Sequence, residues 1–146
     1  MKTKKKILFV CVENSCRSQM AEGFANHFSK GGFKAYSAGS GPSGKINETA
    51  IAVMQEAGID ISPQKSKGFE DLGDAKFDYV VSMGCQDICP FVPAKKHLEW
   101  RVDDPKGKNL VFFRSVRDQI AAQVLDLIHR ELKSPDGGTP IKNLIK

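Results

Sequence analysis

No stretch of the 146 residues stays apolar for the roughly 20 positions that a membrane-spanning helix needs. The basic start, Met1-Lys-Thr-Lys-Lys-Lys6, leads into an apolar run only one strand long and without a small-residue cleavage site. A secretory signal is therefore not expected, and a cytoplasmic protein is. Histidine is scarce: His27, His97 and His129 have no metal-ligand spacing and are read as surface or edge residues. The lysines are scattered, and no aromatic-rich basic segment accompanies the net charge of +5. That pattern argues against nucleic acid and for a small anionic substrate. Four cysteines in a reducing compartment argue against a disulfide framework and for catalytic, redox or metal chemistry. The rest, 40% hydrophobic and 27% charged, suits one globular domain with a sound core. Residues 1–133 are assigned to that domain and 134–146, rich in Gly and Pro at the start, to a loose tail; a monomer is expected.

Ile7 to Val10 is a short continuous apolar run, the pattern of a strand buried on both faces. A helix follows from about Arg17 to Lys30, with Met20, Ala21, Phe24 and Phe28 on one face, and Gly31-Gly32 stops it. Phe33 to Ala38 reads as a second strand, and Gly39 to Gly44 as a polar loop. Asn47 caps a helix that carries Ala50, Ile51, Val53, Met54 and Ala57 and ends at Gly58. After a helical or turn segment through Leu72, Phe77 to Ser82 forms a third buried strand. His97 to Val102 is expected as the fourth strand, broken by Asp103-Asp-Pro-Lys-Gly107, before a long helix over about Phe112 to Leu132. Strands alternating with helices indicate a parallel, doubly wound α/β sheet, in which ligands bind at the carboxyl ends of the strands. The loops that begin at Cys11, Cys85 and Asp103 all follow strand ends and are expected to share one rim.

The chemistry concentrates in residues 11–18. Cys11 stands at a strand end and, after five intervening residues, Arg17 opens a helix. Converging backbone N–H groups and the positive end of a helix favour both a thiolate and a bound oxyanion. Arg17 adds a planar, always-charged fork able to grip two oxygens of a tetrahedral anion. Val12, Glu13, Asn14, Ser15, Cys16, Arg17 and Ser18 thus form a candidate anion-binding loop, with Asn14 and Ser18 bracing it. Cys16 is read as a packing or bracing residue rather than a second nucleophile.

Four motifs carry a resemblance: Cys11-Val-Glu-Asn-Ser-Cys-Arg-Ser-Gln-Met-Ala-Glu-Gly23, Tyr36-Ser-Ala-Gly39, Val80-Val-Ser-Met-Gly-Cys-Gln-Asp-Ile-Cys-Pro90 and Trp100-Arg-Val-Asp-Asp-Pro105. Together they resemble the low-molecular-weight tyrosine phosphatase fold and, more closely, its thioredoxin-recycled arsenate reductase branch. The resemblance implies one α/β domain, a four-stranded parallel sheet in the order 2-1-3-4 flanked by helices. It implies arsenate as substrate, with phosphate or sulfate as analogues, and reduction to arsenite by Cys11 through a disulfide relay over Cys85 and Cys89. Asp104 matches the acid that protonates the departing oxygen; Asp103 competes for that role, and the Asp-Pro adjacency favours Asp104. No cofactor is implied beyond an external thiol reductant, thioredoxin or a glutaredoxin-like protein.

Three positions depart from the family pattern. Only three residues separate Cys85 from Cys89, where better-known members have six, which leaves the reductant open between the two routes. Glu13 stands where many relatives carry glycine, and its side chain is expected to face solvent. Lys67 falls at an acidic position of a potassium site otherwise matched by Asn14, Glu22 and Ser37, so its ammonium is expected to replace the ion. Two alternatives stand beside the reductase. A plain phosphatase needs neither Cys85 nor Cys89, and the tyrosine pair that flanks its substrate is absent, since Lys106-Gly107 follows Pro105. A non-enzymatic thiol or zinc site built from Cys11, Cys16, Cys85 and Cys89 would need spacings unlike common zinc ribbons.

Overall fold

A computed structural model describes residues 4–84 and 91–131. Cys85, Cys89 and the expected tail at 134–146 lie outside the described residues. The elements are β1 (Lys5–Val10), α1 (Arg17–Phe28), β2 (Phe33–Ala38), α2 (Glu48–Glu56), a 3₁₀ turn (Phe69–Leu72), β3 (Phe77–Ser82), β4 (Ala94–Glu99) and α3 (Leu110–Glu131). The strands form one parallel sheet in the order β2-β1-β3-β4. This is the expected α/β sheet. The most apolar strand, β1, lies inside it, with Ile7, Leu8, Phe9 and Val10 all at or below 2% exposure.

The two faces of β1 serve different layers. Ile7 and Phe9 pack with Met20 and Phe24 of α1, Val53 and Met54 of α2, and Val116, Ile120, Val124 and Leu127 of α3. Leu8 and Val10 join Ala38, Phe77 and Val80 in a smaller cluster covered by Phe69, Leu72 and Val92. Asn47 caps α2 as expected, its Oδ1 accepting from the Thr49 and Ala50 amides. Among the described residues no helix is long and apolar enough to cross a membrane.

The fourth strand corrects the sequence reading. It spans Ala94–Glu99 rather than His97 to Val102. Leu98, Trp100 and Val102 alternate with polar residues as a strand would, but the ladder to β3 covers only Ala94 to Glu99, with one further bond from the Trp100 amide to Ser82 O. As an edge strand that is mostly exposed, β4 needs little apolar sequence, so its first half gave no signal. Val102 is buried beyond the strand end, in the loop that approaches the carboxyl edge of β1.

Candidate active site

Val10 ends β1, and Cys11 turns into a loop that becomes α1 at Arg17. The loop is held by its own side chains. Asn14 adopts φ 51°, a left-handed conformation that asparagine tolerates better than most residues. Its fully buried amide donates to Ser18 Oγ at 2.8 Å, while its Oδ1 accepts from Gln19 Nε2 and from the Lys67 amide. Because Asn14 already donates to Ser18 Oγ, the hydroxyl hydrogen is free to point at the Cys11 sulfur, 2.8 Å away. Cys11 itself is 3% exposed.

Gln19, at 0% exposure, extends the brace: it donates to Lys65 O as well as to Asn14, and Gln64 donates to its Oε1. Sequence reasoning treated Gln19 only as part of the helix. The available signal was a glutamine on the apolar side of α1, one residue before Met20.

Arg17 reaches across the loop. Nη1 donates to Val102 O at 3.0 Å, Nη2 lies 3.8 Å from Asp104 Oδ2, and the buried Nε has no hydrogen-bond partner among the described residues. Two glycines allow this close approach. Gly84 has φ +93°, and a Cβ there would collide with Arg17 Nη1; a Cβ on Gly39 would collide with the Cys11 and Val12 carbonyls.

Cys11, Val12, Glu13, Ser15, Cys16, Arg17, Asp104 and Lys106 line one cavity of about 110 Å³. The structure thus brings Asp104 to Cys11 and Arg17, whereas Asp103 lines a separate cavity with Trp100 and Gln119. Burial pushes the Cys16 thiol up to about 11, against an opposing hydrogen bond from Ser15, so it stays protonated at neutral pH.

The Lys67 ammonium sits where a cation is wanted. It donates to Lys65 O at 2.8 Å and to Ser37 Oγ at 3.4 Å, and lies 3.6 Å from Glu22 Oε1, which also accepts from Ser37 Oγ. Burial raises the Glu22 carboxyl above its ordinary range, with Lys67 and Ser37 opposing the rise. Glu13 does not simply face solvent as expected. Its carboxylate spans the cavity rim and accepts from Lys106 Nζ at 2.7 and 2.9 Å.

With this geometry in place, residues 6–135 match the family described as low molecular weight phosphotyrosine protein phosphatase. The chain belongs to this family. A relative from Synechocystis sp., named glutaredoxin arsenate reductase, is 43% identical over 127 residues, covering 85% of this chain and 96% of the relative. A solved arsenate reductase in a phosphate-binding state is 41% identical with a TM-score of 0.77, covering 86% of this chain and 98% of that one. The thioredoxin-dependent arsenate reductase of Corynebacterium glutamicum, Cg_ArsC1', is 30% identical with a TM-score of 0.72, covering 86% of this chain and 61% of its own. The family is described by its phosphatases, and the similar proteins named here are arsenate reductases.

Proposed function

We propose that the protein is an arsenate reductase in which Cys11 is the nucleophile. The observation that carries the reading is the shared cavity: Cys11, Arg17 and Asp104 line one small space at the end of β1. The oxyanion binds on the loop amides and Arg17, where the unsatisfied Nε is a donor in waiting. Cys11 thiolate attacks arsenic, and Asp104 protonates the departing oxygen, leaving a Cys11–arsenic adduct. Cys85 thiolate then attacks the Cys11 sulfur. The sulfur–arsenic electron pair stays on arsenic, which leaves as arsenite while a Cys11–Cys85 disulfide forms. Cys89 attacks Cys85 and frees Cys11, and an external dithiol reduces the Cys85–Cys89 disulfide by exchange. Two electrons pass from the thiols to arsenic, so no resident cofactor is required.

For the reductant we favour a thioredoxin-type dithiol in the cytoplasm, because a disulfide between two cysteines of one chain is the substrate such a protein takes. The relatives support an external thiol partner of either kind, one being named for glutaredoxin and another for thioredoxin. Arsenate turnover is to be followed with thioredoxin, thioredoxin reductase and NADPH, and in parallel with glutathione and glutaredoxin. Cys11→Ser is expected to abolish turnover in both assays, and Cys85→Ser and Cys89→Ser to abolish multiple turnover with thioredoxin. Full multiple turnover by Cys85→Ser would overturn the relay. Efficient hydrolysis of p-nitrophenyl phosphate without arsenate reduction would move the protein to the phosphatase reading, and stoichiometric zinc in the purified protein would favour a thiolate site.

A further inference from the structure

Arg17 Nη2 and Asp104 Oδ2 lie 3.8 Å apart in the cavity that Cys11 lines. Two further charges stand at the rim, and the reaction described above leaves both unused. Glu13 belongs to the anion loop, its backbone carbonyl clamped by the Ser43 amide at 3.0 Å and Ser66 Oγ at 3.1 Å. Lys106 comes from the Asp104 loop, where its amide donates to Asp104 Oδ1 at 3.1 Å. The two side chains meet over the opening, and both also line an outer groove of about 340 Å³ with Ser43, Lys45 and Asn47. Lys106 thus lines both the outer groove and the cavity that Cys11 lines.

A carboxylate at this rim repels a doubly charged oxyanion, and among the described residues Lys106 is the cation that offsets it at contact distance. The ammonium carries three donors. Glu13 takes one at each carboxylate oxygen, 2.7 and 2.9 Å away, and leaves one. We propose that Lys106 is a second cationic ligand of the oxyanion, held at the cavity rim by Glu13 so that its remaining N–H meets an outer oxygen of the anion bound on Arg17. Lys106 sets affinity rather than chemistry, because it touches the outer oxygens and not the sulfur–arsenic bond. The assignment rests on the oxyanion reading of the cavity, though not on what happens to the anion afterwards.

Binding of inorganic phosphate to the reduced full chain, measured by calorimetry at low and at high salt, tests it, with melting curves to verify folding. Lys106→Met removes a ligand and exposes Glu13, and is expected to weaken phosphate by about tenfold at low salt and less at high salt. Glu13→Gln is expected to tighten binding by about threefold, and the double variant to return close to the parent. Lys108→Met, which removes the same charge two residues away from the rim lysine, is expected to bind like the parent. In arsenate turnover the Lys106→Met effect is expected in KM with kcat kept.

Opposite signs for the two partners are the signature, since a loop merely loosened by losing an ion pair would weaken binding in both. Equal weakening by Glu13→Gln and Lys106→Met, or phosphate affinity within about twofold of the parent in Lys106→Met, overturns the assignment. Phosphate binding that follows the expected pattern in a protein unable to reduce arsenate would overturn the reductase reading and leave the Lys106 assignment standing.

Discussion

Arg17 Nη1 donates to the Val102 carbonyl at 3.0 Å, so the guanidinium of the anion loop is fixed by the backbone of a loop 85 residues away. The side chain is 11% exposed and lies against Gly84 on one side and near Asp104 on the other. The reach of Arg17 is therefore a tertiary quantity, set jointly by the ends of β3 and β4.

Gly84→Ala tests this directly. The new methyl would strike Nη1, and φ +93° disfavours any residue with a Cβ. Displacing the guanidinium by about 1 Å is expected to lower kcat/KM for arsenate by about 100-fold. Backbone strain accounts for only about 1–3 kcal/mol of stability, measured by urea denaturation. Retained kcat/KM would show that Arg17 does not need its present seat.

Ser18→Ala removes the hydroxyl 2.8 Å from the Cys11 sulfur and also orphans the Asn14 amide donor. Alkylation of Cys11 by iodoacetamide is expected to slow by up to about tenfold, the size of one lost hydrogen bond. Asn14→Ala loses three side-chain partners and a residue suited to its left-handed conformation, and is expected to cost about 3 kcal/mol on denaturation.

Lys67→Met tests the ammonium beside Glu22. Burial raises the Glu22 carboxyl above its ordinary 4.5, so the folded state binds this proton more tightly than the unfolded chain does. Its contribution to stability is then largest at low pH and falls as pH rises from 4.5 through the folded-state value. Lys67 limits that loss by favouring the ionised form. In Lys67→Met the fall as pH rises above 4.5 is expected to be steeper than in the parent, read from urea midpoints across a pH series. In the parent chain, potassium and sodium at equal ionic strength are expected to give the same melting temperature. A clear rise with potassium would show that the ammonium does not take the ion's place.

Cys16→Ser separates the two cysteines of the loop. A thiol held near 11 is a poor nucleophile at neutral pH, and Cys16 is 4% exposed. Turnover is expected within about threefold of the parent, against complete loss in Cys11→Ser. Loss in both would assign Cys16 a part in the chemistry.

Local sequence carried much of the fold and part of the site. β1 and β3 were legible because strands inside a parallel sheet are mostly apolar, β2 because Phe33, Ala35 and Ala38 mark its buried side, and Asn47 because a cap acts over two or three residues. Cys11 and Arg17 were legible for the same reason, since strand, loop and helix start are contiguous. The Asp-Pro adjacency favoured Asp104 over Asp103 as the acid; Asp104 lines the cavity with Cys11 and Arg17, and Asp103 lines another. β4 was misplaced because an exposed edge strand is under little demand for apolar residues, so Leu98, Trp100 and Val102 carried the pattern past its end.

By itself the sequence determined the parallel α/β arrangement and the strand, loop and helix start that set Cys11 before Arg17, because those depend on residues adjacent in the chain. Other partners at the site come from far along it: Val102 and Gly84 for Arg17, and Lys106 for Glu13. Only the tertiary structure decided those pairings, since long-range charges and backbone groups leave no periodic trace in sequence and meet only when the sheet brings its strand ends to one rim.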